Sequence, residues 1–306
     1  MCQLLGISST APTPVFSSSL LSPFVQRGGN TDIHSHGWGV AYYNYCNKKK
    51  KLRLKTFRDA SPAATSSKVQ DMLKNQSHER MLDTKTLLAH IRYATVGEVS
   101  INNVHPFHRE LFGVEFVFAH NGDVPMFKGG RKGVNKFVHS LSGEEEKSKN
   151  DTFESDGDTD SEHIFCYILN ALHERFDSFP LIDELYYAIH ELCLEIVQHQ
   201  EGVILNFLLG VGSSNIFAFS WPGKRPGSTT WNGLYYMLKA KQQEQHGINS
   251  MPYDANKDQV AAIATKPLGL DKSLWIEFRK GELLLFCNGI VTNHGNANRR
   301  LWVGDI

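Results

Sequence analysis

The sequence predicts an α+β domain in which strands flank a central pair of helices. Two observations predict it. Short apolar runs bounded by turn residues occupy the first 120 positions and return after residue 203, whereas apolar residues spaced by three and four dominate between 160 and 200. The composition also suits a packed core. Of 306 residues 41% are hydrophobic and 21% charged, which excludes a disordered chain, a collagen and a coiled coil.

Residues 41–46 and 52–57 read as two strands, joined by a turn of Asn47 and Lys48 to Lys51 whose charges suit a solvated hairpin tip. Residues 65–76 read as a short surface helix. The runs TLLAHIR (86–92) and EFVFAH (115–120) read as buried strands, the second ending in Asn121-Gly122. Residues 142–158 are acidic and rich in Ser, Gly and Asp; they could cover a site as a lid, and are expected instead to extend into solvent. Thr159-x-x-Glu162 has the capping-box form and predicts a helix starting at Asp160, with Ile164, Phe165, Ile168, Leu169, Leu172 and Phe176 on one face. Ile182, Leu185, Tyr186, Ile189, Leu192, Ile196 and Val197 mark a second amphipathic helix. Strands are then expected at 203–209, 216–220, 231–238, 260–265 and 283–287.

Thirty-two Lys and Arg balance thirty-two Asp and Glu, so a nucleic-acid partner held by phosphate neutralisation is not expected. No run reaches the roughly 18 apolar residues that span a bilayer, and the first 25 residues lack a basic segment, so neither membrane insertion nor a signal peptide is expected. Five cysteines without a C-x-x-C pair suggest free thiols in a reducing, cytoplasmic setting. His34 with His36, or His105 with His108, has ligand-like spacing, but no carboxylate or thiolate cluster completes a set, so no metal and no cofactor are expected.

Four features carry chemistry. Removal of Met1 would leave Cys2 with a free α-amine, a thiol and a weak base on one residue. Asn121 and Gly122 follow an apolar strand, where a side-chain amide and a glycine N–H suit an oxyanion hole; the same pair also reads as an ordinary turn. Arg92 ends a buried strand and needs an anion, either a ligand carboxylate or an internal partner. Asp160 at a helix start either complements the helix dipole or receives a ligand ammonium.

Together these residues resemble the class II glutamine amidotransferases, whose domain is an N-terminal nucleophile hydrolase. Met1-Cys2-Gln3-Leu4-Leu5-Gly6 is similar to the family's opening strand, and Gln26-Arg27-Gly28-Gly29 with His36-Gly37-Trp38-Gly39 to its next block. His90-Ile91-Arg92-Tyr93-Ala94-Thr95, Ala119-His120-Asn121-Gly122 and Thr159-Asp160-Ser161-Glu162 resemble the carboxylate-binding, oxyanion and amine-binding segments. Val104-His105-Pro106-Phe107 and Ala264-Thr265-Lys266-Pro267-Leu268 resemble the stand-alone, single-domain branch. Val96 departs from the histidine that several synthases of the family carry there.

The resemblance implies a four-layer α-β-β-α sandwich of two antiparallel sheets over residues 2–290, with 291–306 a C-terminal tail. It implies Cys2 as nucleophile, Asn121 and Gly122 as oxyanion donors, and Arg92, Thr95 and Asp160 as substrate-binding residues. Arg27, Gly37 and Trp38 become structural support, the last two in the pocket wall. The implied reaction is hydrolysis of glutamine or a γ-glutamyl peptide such as glutathione through a Cys2 thioester, with a separate synthase or peptidase subunit as a candidate partner. The alternative is a non-catalytic γ-glutamyl sensor or scaffold.

Overall fold

The computed structural model describes residues 2–12, 14–46, 51–74, 84–94, 97–142, 152–225, 227–239, 259–269 and 271–292. Two antiparallel sheets lie face to face. The first contains β1 (Gln3–Ser9), β2 (Trp38–Cys46), β3 (Lys51–Asp59), β4 (Thr86–Ile91), β9 (Tyr235–Lys239), β10 (Val260–Ala264) and β11 (Ile276–Glu277), in the order β11-β9-β10-β1-β4-β2-β3. The second contains β5 (Phe107–Leu111), β6 (Val114–Asp123), β7 (Ile204–Val211), β8 (Asn215–Trp221), β12 (Glu282–Cys287) and β13 (Ile290–Thr292), in the order β13-β12-β8-β7-β6-β5. Helices α1 (Pro14–Gln26) and α2 (Ser67–Lys74) cover the first sheet; α3 (Arg131–Ser142), α4 (Asp160–Arg175) and α5 (Ile182–His199) belong to the side of the second.

The strand repeat of two residues builds three cores from these layers. Leu5 and Ile7 of β1 pack against Leu20, Leu21, Phe24 and Val25 of α1. Leu4 faces the other way and joins Leu88, Val117, Ala119, Leu208 and Ile263 between the sheets. Phe116, Phe118, Phe207 and Leu209 meet Phe165, Ile168, Ile189 and Ile196 of α4 and α5. The result is the α-β-β-α sandwich. Because helices cover one face and the partner sheet the other, β1, β4 and β7 are buried at every position, which is why TLLAHI reads as a continuous apolar run.

Helix α4 starts at Asp160 as predicted, with the Thr159 hydroxyl accepting from the Glu162 N–H. The reciprocal half of the capping box does not form there. The Glu162 carboxylate instead accepts from the Gly157 N–H at 2.7 Å and from Arg109 at 2.8 Å. The acidic segment also differs from expectation. Residues 143–151 lie outside the described residues; 152–158 run along the surface, exposed at 152, 154, 156 and 158, but are tethered to the body: Phe153 exchanges two hydrogen bonds of 2.9 Å with the Asn170 side chain, and Asp158 is held by Asn103.

Other boundaries move. The strand expected at 231–238 starts at Tyr235, because Asn232 pairs its backbone with Gly223 and makes a loop of the preceding residues. The helix expected at 65–76 begins at Ser67, after a single turn of 3-10 helix at Ala63–Thr65; positions 75 and 76, and the turn at 47–50, lie outside the described residues. Val291 and Thr292, assigned to the tail from sequence, lie in β13 at the sheet edge. No helix among the described residues is long and apolar enough to cross a membrane.

Candidate active site

The site forms where the two sheets end together. Residues 2, 4 and 6 of the first strand share the inter-sheet side, as do His90 and Arg92 on the β4 side, and β1 and β4 pair Gln3 with Ile91. The Cys2 thiol is thereby set against the chain after β4, its Sγ accepting from the Tyr93 N–H at 3.4 Å. Burial pushes this thiol above its ordinary range, so near neutral pH it is protonated and a base is needed to make it a nucleophile. The N-terminal strand is tied down from behind. Arg27 donates to Gln3 Oε1 at 3.2 Å and to the Pro267 carbonyl at 2.8 Å, while Thr265 donates to the same Gln3 oxygen at 2.9 Å.

Arg92 is buried, with Nη1 donating to the Glu98 carbonyl at 2.7 Å and Nη2 to that of Gly97 at 3.4 Å. Asn103 donates to the same Glu98 oxygen and to Asp158, closing the loop around the guanidinium. The backbone of Arg92 is clamped by Gly37 O and His36 N, and Gly37 adopts φ 121°, where a Cβ would also lie 2.8 Å from Val104 and 2.9 Å from the Asp59 carbonyl. Gly37 and Trp38 therefore support the site without lining it. The strand alternation turns Trp38 to the α1 side, a correction to the expected place of this block in the pocket wall. Thr95 lies outside the described residues.

Across the gap, β5 pairs with β6 only as far as Phe118, so residues 119–123 have no ladder partner on that side among the described strands. The Gly122 carbonyl accepts from Arg225 instead of from a strand. In an extended chain a residue's N–H lies on the same side as its C=O, which places the Gly122 N–H at this open edge. Only glycine fits: a Cβ would sit 1.9 Å from the Ile204 carbonyl oxygen and 2.3 Å from His120 Nε2. Asn121 is buried, and neither its Oδ1 nor its Nδ2 has a hydrogen-bond partner among the described residues. Its backbone is held by a polar row across three strands, in which Ser220 donates to Asn206 at 2.8 Å and Asn206 donates to the Asn121 carbonyl at 3.2 Å.

Asp160, at the first turn of α4, accepts from the Val124 N–H at 3.0 Å and the Ser161 N–H at 2.9 Å, so helix and strand end orient its carboxylate. Cys2, Arg92, Gly122 and Asp160 line one pocket open to solvent, together with His105, His120 and Arg225. Asn121 is not among its lining residues; it lies next to Gly122 with its amide unsatisfied.

Sequence reasoning left out Asn103 and Arg225, and gave Ser161, His90 and His120 no role of their own within their segments. His90 Nε2 and His105 Nδ1 are 2.8 Å apart, and His120 Nδ1 lies 2.8 Å from Ser161 Oγ. Burial shifts all three rings toward the neutral form, His90 and His105 strongly. The His-Pro step at 105 and the His-Asn-Gly run at 120 were the available signals. No group of three or more His, Cys, Asp and Glu among the described residues could hold a metal ion.

Comparison with known proteins gives a consistent result. A family model described as "Glutamine amidotransferases class-II" matches residues 1–302. A Haemophilus influenzae protein named "Putative glutamine amidotransferase" is 32% identical over 94% of this chain and 85% of its own. The Escherichia coli "Putative glutamine amidotransferase YafJ" is 30% identical over 94% and 98%. A crystal structure titled a "predicted glutamine amidotransferase" from Pseudomonas aeruginosa superposes with a TM-score of 0.55, at 24% identity, over 95% of this chain and 99% of that one; it bears on the fold alone.

Proposed function

The chain belongs to the class II glutamine amidotransferases, and from that premise we propose that it hydrolyses a γ-glutamyl amide through a thioester on Cys2. The observation that carries the reading is the convergence in one pocket of a thiol, a buried guanidinium, a strand-end glycine and a buried carboxylate, from four separate stretches of chain. A γ-glutamyl amide presents an anion, a cation and a scissile carbonyl, and the pocket holds a complement for each.

In this mechanism Met1 is removed first, freeing the α-amine of Cys2. With a reference pKa of about 7.7–8.0, that amine is partly neutral near pH 7 and takes the thiol proton. Arg92 receives the substrate α-carboxylate and Asp160 its α-ammonium. The thiolate adds to the γ-carbonyl, and the oxyanion is met by the Asn121 amide and the Gly122 N–H. Collapse breaks the C–N bond, the leaving amine takes the proton from the Cys2 ammonium, and water hydrolyses the thioester.

Intact-mass analysis of the natively processed protein, before and after 6-diazo-5-oxo-norleucine, tests the reading. The expected result is a starting mass lacking Met1 and one adduct mapped to Cys2. A protein with a free Cys2 amine that stays unmodified would instead count against a competent glutamine site and support a non-catalytic γ-glutamyl sensor or a much narrower substrate.

A further inference from the structure

The pocket holds one charge more than glutamine can use. Its charged lining residues are Arg92, Asp160 and Arg225, beside a Cys2 thiol and two histidine rings that burial keeps neutral. Arg92 and Asp160 match the carboxylate and ammonium of an amino-acid head. Arg225 remains.

Arg225 is fixed on a braced loop. After β8, Gly223 and Asn232 exchange two backbone hydrogen bonds of 3.0 Å. Gly223 also presses on Ile204 of β7, where a Cβ would lie 2.9 Å from the isoleucine side chain. The guanidinium then reaches β6, with Nη2 donating to the Gly122 carbonyl at 3.1 Å and Nε lying 3.1 Å from Asp123 Oδ2. Asp123 does not neutralise it alone, because the other oxygen of that carboxylate pairs with Lys128. Two cations share one anion, so the cluster keeps a net positive charge. Arg225 Nη1 has no partner among the described residues.

We propose that Arg225 binds a carboxylate on the leaving group, so that the substrate class is γ-glutamyl dipeptides, whose free α-carboxylate lies close to the scissile amide, in preference to glutamine. This rests on the γ-glutamyl amidase reading above. Anchored to Gly122, Arg225 stands beside the candidate oxyanion donor, and an α-amino acid leaving group carries its carboxylate two bonds from the departing nitrogen. A planar guanidinium suits that anion, whereas ammonia, the product of glutamine, offers it nothing. The reaction balances as hydrolysis: the C–N bond breaks, the amino acid leaves with the proton taken from Cys2, and water supplies the oxygen of the released glutamate.

The test compares kcat/KM for γ-glutamylglycine with that for its neutral isostere γ-glutamylglycinamide, on the Met1-free enzyme and on the Arg225→Gln and Arg225→Lys variants. The wild type should prefer the carboxylate by about 10- to 100-fold, the range of a charge-assisted hydrogen bond. R225Q should bring the ratio to within about threefold of one, and R225K should retain part of it. Using the ratio cancels any loss common to both substrates from disturbing Gly122. A wild-type ratio near one, or a ratio unchanged in R225Q, overturns the proposal and leaves Arg225 as a clamp on the oxyanion strand. If γ-glutamylglycine is not turned over the proposal also falls, and labelling of Cys2 by 6-diazo-5-oxo-norleucine then shows whether the amidase reading falls with it.

Discussion

Replacing Asn121 with alanine should move stability and activity in opposite directions. The residue is 1% exposed, with both side-chain polar atoms unpartnered among the described residues. A buried polar group left unsatisfied costs about 1–3 kcal/mol. Truncation removes that cost and opens a small gap worth roughly 1 kcal/mol of lost packing. The backbone restraint survives, because Asn206 donates to the Asn121 carbonyl and not to the side chain. N121A should therefore be as stable as the parent or more stable by up to roughly 2 kcal/mol, a rise of about 2–4 °C per kcal/mol for a domain of this size. The hydrolytic rate should fall about 100- to 1000-fold, the usual loss on removing one oxyanion donor. Differential scanning calorimetry and glutamine or γ-glutamylglycine turnover read the two quantities. A melting temperature lowered by more than about 5 °C, or a rate within tenfold of the parent, would refute the reasoning, since the amide would then be a structural member and not a reserved donor.

Stability should also depend on pH through the buried histidines. The folded-state pKa values of His90, His105 and His120 are lowered by burial, while the unfolded chain takes up protons near 6.5. The unfolded state thus binds more protons as pH falls below that value, and stability present above pH 6.5 is lost at up to roughly 1.4 kcal/mol per pH unit for each ring, roughly 4 for the three. Urea midpoints at pH 7.5, 6.5 and 5.5 check this, and a flat series contradicts it; Asp32 and Asp59, whose pKa values are lowered from 3.8, act only at lower pH. Gly122→Ala should lower stability by about 1–3 kcal/mol or more and abolish turnover, because its Cβ meets strand backbone at 1.9 Å. Gly129→Ala, where a Cβ meets nothing within 4 Å, should change the melting temperature little; equal effects in the two variants would contradict the steric account.

Much of the fold was legible because its signals are local. The buried strand at 86–91 and the two long helices announce themselves by apolar spacing, and Thr159-x-x-Glu162 marks the first residue of α4. Two helices escaped although their spacing was present. In α1, Leu20, Leu21, Phe24 and Val25 lie among serines and an internal proline with no charged face, and in α3, Val134, Phe137, Val138 and Leu141 adjoin the acidic segment. The three cores that bury these residues, and not their intrinsic preference, decide their conformation.

By itself, then, the sequence determined the α+β class and placed Cys2, Arg92, Asn121, Gly122 and Asp160 as candidates, since each sits in a short segment whose residue types suit a particular chemistry. The tertiary structure alone decided the rest. It joined β1 to β4 and β10 across gaps of more than 75 residues, ended the pairing of β5 along β6 at Phe118 so that the edge at Gly122 opens, and brought Arg225 to that edge from a loop 103 residues away. Such meetings are set by which strand pairs with which and where a ladder ends. Those choices depend on the burial of whole faces, which no short window of residues contains.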